Sequence, residues 1–378
     1  MKDEIAQAFR GRFGTSPSHV VRSPGRVNLI GEHTDYNDGF VLPMAIDRAI
    51  WLALRPRTDG RVQIHSADQR DPCEFRIDDL RPGEVGWAEY PKGMAKMLRE
   101  RGHDLMGWDG VLMSELNMGS GLSSSAALEM AVGLAFATVS DFAFDGMEMA
   151  RLGQRAENEW VGAKTGIMDQ MICANGVSGS ALLIDCRDLS SQAITLPEDL
   201  TWLVMDTMTR HDHRTSGYGD RRARCEAVAS AFGVSHLRDL ELETLESRAQ
   251  ALDLDAESVR CARHVISENA RVLEAAEAIR AVDAARLGAL LDASHESLSR
   301  DFRVSNDALD AMVQIVRGQP GCFGARMTGG GFGGCAIALV DPERADAIES
   351  AVAADYSQAM ALRPEIFSTK ASKGTALV

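Results

Sequence analysis

The sequence predicts an α+β protein of two domains. At 378 residues the chain exceeds the size at which one hydrophobic core stops growing, and 45% of its residues are hydrophobic, enough to fill two. Strand-like and helix-like patterns are mixed in both halves, without the regular alternation of a doubly wound sheet. A boundary near residue 195, where a Ser-, Pro- and Asp-bearing connection separates two apolar runs, divides the chain into 1–195 and 196–378.

The elements follow in order. AIDRAIWLALRPR and RVQIHSAD read as strands, and Thr58-Asp59-Gly60 between them carries the Asp-Gly step of a β-hairpin. From Ser123, serines precede the alanine-, leucine- and methionine-rich run of a helix apolar on most sides. GMEMARLGQRAENEW continues helical and ends near Gly162, where glycine takes the left-handed conformation that closes a helix. SALLIDCR and TWLVMDT read as strands, with LSSQAITLPEDL as the connection between them. The chain is then largely helical from Arg221 to about Arg317, returns to glycine loop and strand in RMTGGGFGGCAIALV, forms a helix in PERADAIESAVAADYSQAM, and ends on a strand in EIFSTKA.

Charge and composition narrow the partners. A net charge of -15 argues against nucleic acid as the bulk partner, because phosphate backbones are held by clustered lysine and arginine. Neither an uncharged apolar run of membrane-spanning length nor a secretory h-region in MKDEIAQAFRGRF is present, so the expectation is a cytoplasmic protein with no membrane partner, monomeric by default. Seven cysteines without CxxC spacing read as reduced thiols.

Three stretches carry chemistry. In GRVNLIGEHTDYNDG, Arg26 precedes an apolar VNLI strand, and Glu32, His33, Asp35 and Tyr36 follow as it ends; the mixture suits either a solvated loop or a site for a small polyol, and polarity alone leaves both open. In GSGLSSSAALE, glycines and serines sit directly before a helix whose first free N–H groups form an anion site, and the serine hydroxyls can add phosphate or magnesium bonds; a lone N-cap would need one serine, not three. TGGGFGG contains G-x-G-x-x-G at Gly329, Gly331 and Gly334, but it runs into the strand CAIALV where a dinucleotide fingerprint demands a helix, and it reads instead as a tight loop that lets another backbone approach. A Walker sequence and protein-kinase signatures are absent.

Side by side, GRVNLIGEHTDYNDG, GSGLSSSAALE, AENEWVGAKTGIMDQ and RMTGGGFGG resemble, in order and over about residues 21–340, the galactokinases of the GHMP small-molecule kinase family. That resemblance implies an N-terminal domain like the second domain of ribosomal protein S5 and a ferredoxin-like C-terminal domain with helical insertions. It also implies transfer of the γ-phosphoryl group of ATP, with Mg2+, to the C1 hydroxyl of α-D-galactose. By the same resemblance Asp169 is the catalytic aspartate beside that hydroxyl, as base or as orienting group, and Arg26 keeps it ionised. Glu32, His33, Thr34, Asp35, Gly166 and Tyr218 contact the sugar; Gly119, Ser120, Gly121, Leu122, Ser123, Ser124 and Ser125 wrap the ATP phosphates; Ser125 and Glu157 hold the magnesium; Ser66 touches the nucleotide.

The match has departures. His213 stands where an apolar residue is common, Gly217 where glutamate is common, and Thr165 replaces a cysteine often found before GIMDQ. His211 and His213 at alternate positions, without a third partner, make a poor metal site. The resemblance leaves two other readings to weigh: a kinase for N-acetylgalactosamine, arabinose or galacturonate, and a non-catalytic sensor of galactose and ATP. The intact EHTDY favours galactose, and a sensor has no need of Arg26, Ser125, Glu157 and Asp169 together.

Overall fold

The computed structural model describes residues 1–67, 71–83, 86–117, 119–210 and 217–378, with the side chain of Tyr218 outside that description. The N-terminal half contains α1 (Lys2–Phe13), β1 (His19–Asn28), β2 (Phe40–Val41), β3 (Pro43–Arg57), β4 (Arg61–Ser66), β5 (Cys73–Arg76), α2 (Glu89–Glu100), β6 (Gly107–Ser114), α3 (Ser124–Val139), α4 (Gly146–Arg155), α5 (Met168–Asn175), β7 (Ser180–Asp185) and β8 (Ser191–Thr195). The C-terminal half contains β9 (Thr201–Asp206), α6 (Tyr218–Phe232), α7 (Leu242–Arg248), α8 (Ala256–Arg280), α9 (Ala284–Ser297), α10 (Asp307–Arg317), β10 (Cys322–Met327), β11 (Cys335–Val340), α11 (Ala345–Met360), β12 (Glu365–Thr369) and β13 (Ala376–Leu377). The fold is α+β, with a six-stranded sheet in the order β13-β1-β3-β6-β4-β5, a four-stranded sheet β10-β11-β9-β12 and a three-stranded sheet β2-β7-β8.

Three sequence expectations are corrected. The runs flanking Asp59-Gly60 are strands, but they do not form a hairpin: β6 lies between them, antiparallel to β3 and parallel to β4. Three connecting residues span about 10 Å, two strand spacings, so the turn steps over one strand. Gly107 permits that insertion, because a Cβ there would stand 2.3 Å from the Arg61 carbonyl oxygen. SQAIT, read as part of a connection, is β8 and pairs with β7, exposing every side chain but Ile194 at a sheet edge. EIFSTKA is not the final strand, since β13 follows and pairs Val21 with Leu377.

Alternation along β9 and β11 ties the halves together. Trp202 and Val204, with Cys335, Ile337 and Leu339, enter the core shared with the N-terminal half, while Leu203 and Met205, with Ala336, Ala338 and Val340, enter a second core under the C-terminal helices. The period of two thus makes one sheet the wall between both cores. Helix α3 is buried nearly all round, as its uninterrupted apolar run requires, and packs on β1, β3 and α5, so its N-terminus is held beside the end of β1. Among the described residues no helix is long and apolar enough to cross a membrane. All seven cysteines are free thiols.

Candidate active site

The site begins at an irregularity in β1. Its register against β3 shifts between Pro24 and Arg26, where a Cβ on Gly25 would meet Leu116 Cδ2 at 2.6 Å and the Leu122 carbonyl at 2.8 Å. Such a bulge re-aims the next side chain. Arg26 points at α5 and forks onto Asp169, Nε to Oδ1 and Nη2 to Oδ2, both at 2.7 Å. Its remaining arm, Nη1, donates to the Gly121 carbonyl at 2.5 Å. One buried guanidinium therefore ties the strand, the aspartate and the glycine-serine loop. Burial alone would make Arg26 easier to deprotonate, but the adjacent Asp169 carboxylate more than offsets this and its pKa is raised.

Residues 29–39 form a loop fastened to the C-terminal half. Glu32 is buried and accepts from Asn28 Nδ2 (2.9 Å), Gly329 N–H (2.9 Å) and the Thr328 hydroxyl (3.2 Å). It also pairs with Arg326, which is fully buried and donates to the carbonyls of Asn28 and Leu29. Burial raises the pKa of Glu32 against the opposing pull of Arg326. Glu268 on α8 accepts from Gly31 N–H at 3.0 Å and from Arg271 at 2.7 Å, and His264 Nε2 lies 3.1 Å from the Glu32 carbonyl. Despite its burial, the guanidinium groups of Arg271 and Arg326, with His264 beside them, hold Glu268 down at about 2.

The other loop residues divide between support and pocket. Thr34 is fully buried with its hydroxyl against the carbonyls of Gly31 and Phe40. His33 adopts φ 64, its Nδ1 lies 2.9 Å from the Tyr36 hydroxyl, and burial, with the nearby His264 adding to it, lowers its pKa to about 3, so the ring is neutral. Asp35 opens the turn Asp35–Asn37 and leans on Gly166, and a Cβ on that glycine would stand 1.7 Å from Asp35 Oδ2. Burial, and then the charge of Asp169 close by, push Asp35 up to about 6.

The phosphate-loop candidates lie where Arg26 reaches. Gly119 and Gly121 have positive φ, and the 119–121 backbone packs against the second glycine loop: a Cβ on Gly334 would stand 2.8 Å from the Ser120 carbonyl, and one on Gly329 would stand 3.2 Å from that of Gly121. The glycine-rich stretch before β11 is thus a close backbone contact. Arg210, forked onto buried Asp206, lies 3.3 Å from where a Gly119 Cβ would be. Helix α3 starts at Ser124 with no side-chain cap, leaving its first N–H groups available to an anion.

A hydroxyl and a carboxylate meet beside it. Glu157 lies on a turn of π-helix, Ala156–Val161, that closes on Gly162 at φ 88, and its carboxylate accepts from Ser125, from Thr165 (2.8 Å) and from Gln170 (2.9 Å). Burial raises its pKa, and the Thr165 hydrogen bond opposes the rise. Among the described residues no group of three or more His, Cys, Asp or Glu side chains converges for a metal. A single hydroxyl with a single carboxylate suits Mg2+ bound largely by phosphates and water, so the donor set fits that ion.

Ser66 ends β4 opposite Leu112. Gly217 caps α6 with Phe332 3.3 Å from its Cβ position. The predicted contact of Tyr218, and the histidines His211 and His213, lie outside the described residues. Sequence reasoning missed Arg326, Glu268, His264 and Gln170. Arg326 and Gln170 lay inside quoted motifs, whereas Glu268 and His264 sit in an unremarkable helix with no local signal.

Comparisons with known proteins agree with this geometry. Residues 7–56 match the galactokinase galactose-binding signature, residues 89–177 the GHMP kinases N-terminal domain and residues 275–358 the GHMP kinases C-terminal region. A galactokinase of Chloroflexus aggregans is 46% identical over 359 residues, covering 93% of this chain and 92% of its own. One of Streptomyces coelicolor is 44% identical, covering 98% of this chain and 97% of its own. The crystal structure of Lactococcus lactis galactokinase complexed with galactose superposes with a TM-score of 0.95 at 32% identity, covering 98% of both chains. A mevalonate kinase, at 18% identity and a TM-score of 0.66, shares the fold.

Proposed function

The chain belongs to the galactokinases of the GHMP kinase family, and from that premise we propose how its residues divide the work. It is an ATP-dependent sugar 1-kinase that moves the γ-phosphoryl group of ATP to the C1 hydroxyl of α-D-galactose, giving α-D-galactose 1-phosphate and ADP. The observation that carries the site assignment is the double hydrogen bond between Arg26 and Asp169, with the third arm of the same guanidinium on Gly121.

Asp169 stands at the sugar's C1 hydroxyl, its carboxylate orienting it and taking its proton as the bond to phosphorus forms. A loose phosphoryl transition state demands little of the nucleophile, so orientation is the larger share. Arg26 holds the carboxylate in plane and places positive charge beside the transferring group, where charge changes most. Asp35 and His33 receive sugar hydroxyls, with Gly166 admitting the ring edge and Tyr218 adding a contact. Glu32 and Thr34 hold that loop by internal bonds: Asn28 and Arg326 take one Glu32 oxygen and Thr328 and Gly329 the other, so Glu32 serves the sugar by shaping the loop.

Gly119 to Leu122, Ser124 and Ser125, with the open N-terminus of α3, take the ATP phosphates. Ser125 and Glu157 would hold Mg2+, which when bound neutralises phosphate charge. Ser66 reaches toward the nucleotide. The units 1–195 and 196–378 form the N- and C-terminal domains, with β13 crossing back. The protein works as a monomer in the cytoplasm, in keeping with its seven free thiols.

The test is ADP release with MgATP and a panel of hexoses and pentoses. Galactose should lead the panel; turnover of N-acetylgalactosamine, arabinose or galacturonate with little on galactose refutes the substrate assignment. Binding of galactose and ATP without turnover refutes the enzyme.

A further inference from the structure

Ser123 occupies the N-cap position of α3, where a serine ordinarily accepts a hydrogen bond from a first-turn N–H. It makes no such bond. Its hydroxyl donates instead to Asp169 Oδ2, and its backbone takes the left-handed conformation, φ 58 and ψ 47, to reach there. A non-glycine residue in that region is strained and persists only where its surroundings impose it. Both flanking peptides supply that constraint: Arg26 N–H donates to the Leu122 carbonyl at 3.1 Å, and the Ser123 carbonyl accepts from Ala127 at 3.0 Å.

We infer that Ser123 is a positioning residue for Asp169 rather than a ligand of the ATP phosphates; this rests on Asp169 acting on the sugar hydroxyl. Oδ2 takes two donors, Arg26 Nη2 and Ser123 Oγ, whereas Oδ1 takes Arg26 Nε. Two donors saturate one oxygen and pin the carboxylate's rotation, so Oδ1 is the oxygen turned to the substrate. Diverting the hydroxyl has a second effect. The first N–H groups of α3 stay uncapped for phosphate, so one residue prepares both halves of the site.

Ser123→Gly removes the hydroxyl while relieving the left-handed strain, and Ser123→Ala serves as a second variant that keeps a Cβ. A hydrogen bond to an ionised group corresponds to about a ten- to hundredfold effect. The expected result is that kcat falls by about that factor in both variants, the acid limb of the kcat profile moves to higher pH, and KM for ATP changes by less than about twofold. A rise in KM for ATP with an unmoved acid limb would make the hydroxyl a phosphate ligand and overturn the inference, as would wild-type kcat in Ser123→Gly. Melting curves and galactose titration of each variant establish that it folds. Asp169→Asn measured alongside separates the premises: if it keeps wild-type turnover, the role of Asp169 fails, whereas a dead Asp169→Asn beside an unaffected Ser123→Gly sinks the role of Ser123 alone.

Discussion

Asp35 fills the space that a side chain at position 166 would need, with Oδ2 1.7 Å from where a Gly166 Cβ would sit. The sugar loop and the aspartate loop are therefore fitted to one another through a missing methyl group. Gly166→Ala should push Asp35 out of place and cut kcat/KM for galactose about a hundredfold, the penalty typical of a 1 Å misplacement. Steady-state kinetics with each substrate varied would check it: KM for ATP should hold within about twofold.

Asp35 also couples the pocket to stability. Its folded pKa of about 6 lies above the ordinary value of 3.8, so the folded state binds the proton more tightly than the unfolded one. Its contribution is most favourable below pH 4 and is lost as pH rises through 6, by about 3 kcal/mol at about 1.4 kcal/mol per unit. Asp35→Asn should therefore melt higher than wild type at pH 8, match it near pH 4, and bind galactose poorly. Equal shifts at both pH values would refute the linkage.

Asp169→Asn keeps shape and removes charge. Acid-base contributions of this kind are worth about a hundred- to ten-thousandfold, and kcat should fall within that range while the circular dichroism spectrum stays native. Arg26→Lys should be nearly as damaging, because an ammonium cannot make two parallel bonds to Asp169 and a third to Gly121.

Thr165 donates to Glu157 at 2.8 Å. Partners that orient a metal ligand are worth about ten- to a hundredfold in affinity. Thr165→Val should weaken Mn2+ binding, read by electron paramagnetic resonance, by about tenfold, and Thr165→Ser should restore it. No change in Thr165→Val would remove Glu157 from the metal site or Thr165 from its support.

Arg326→Met strips the buried counter-charge from Glu32 and leaves Glu268 with Arg271. Breaking a buried pair from one side costs about 3–5 kcal/mol. Urea unfolding should show a loss of that size, partly recovered in Glu32→Gln/Arg326→Met.

The local elements were legible because they are written in short-range patterns. The apolar run after Ser123, the glycine at 162 and the strands β9, β11 and β12 all read directly. What escaped was non-local pairing. Asp59-Gly60 signals a hairpin whichever strand lies alongside, and only the long-range placement of β6 decides against it. SQAIT looks like a loop because an edge strand with one buried side chain carries almost no hydrophobic signal. In the site, motif residues could be listed, but sequence alone could not tell that Ser123 turns to Asp169 while Glu32 turns to Arg326. Both are hydrogen-bond choices settled by segments far away along the chain.

The pairing of Val21 with Leu377 sets a schedule for biosynthesis. β1, which carries Arg26, has β3 on one side from early in translation, but its other edge stays open until position 377 has left the ribosome. At about 5–20 residues per second, that leaves an unpaired strand edge exposed for tens of seconds or more. Because β13 pairs only with Val21 and Arg22, it is the first part of the catalytic strand that is among the last segments of the protein to be sealed.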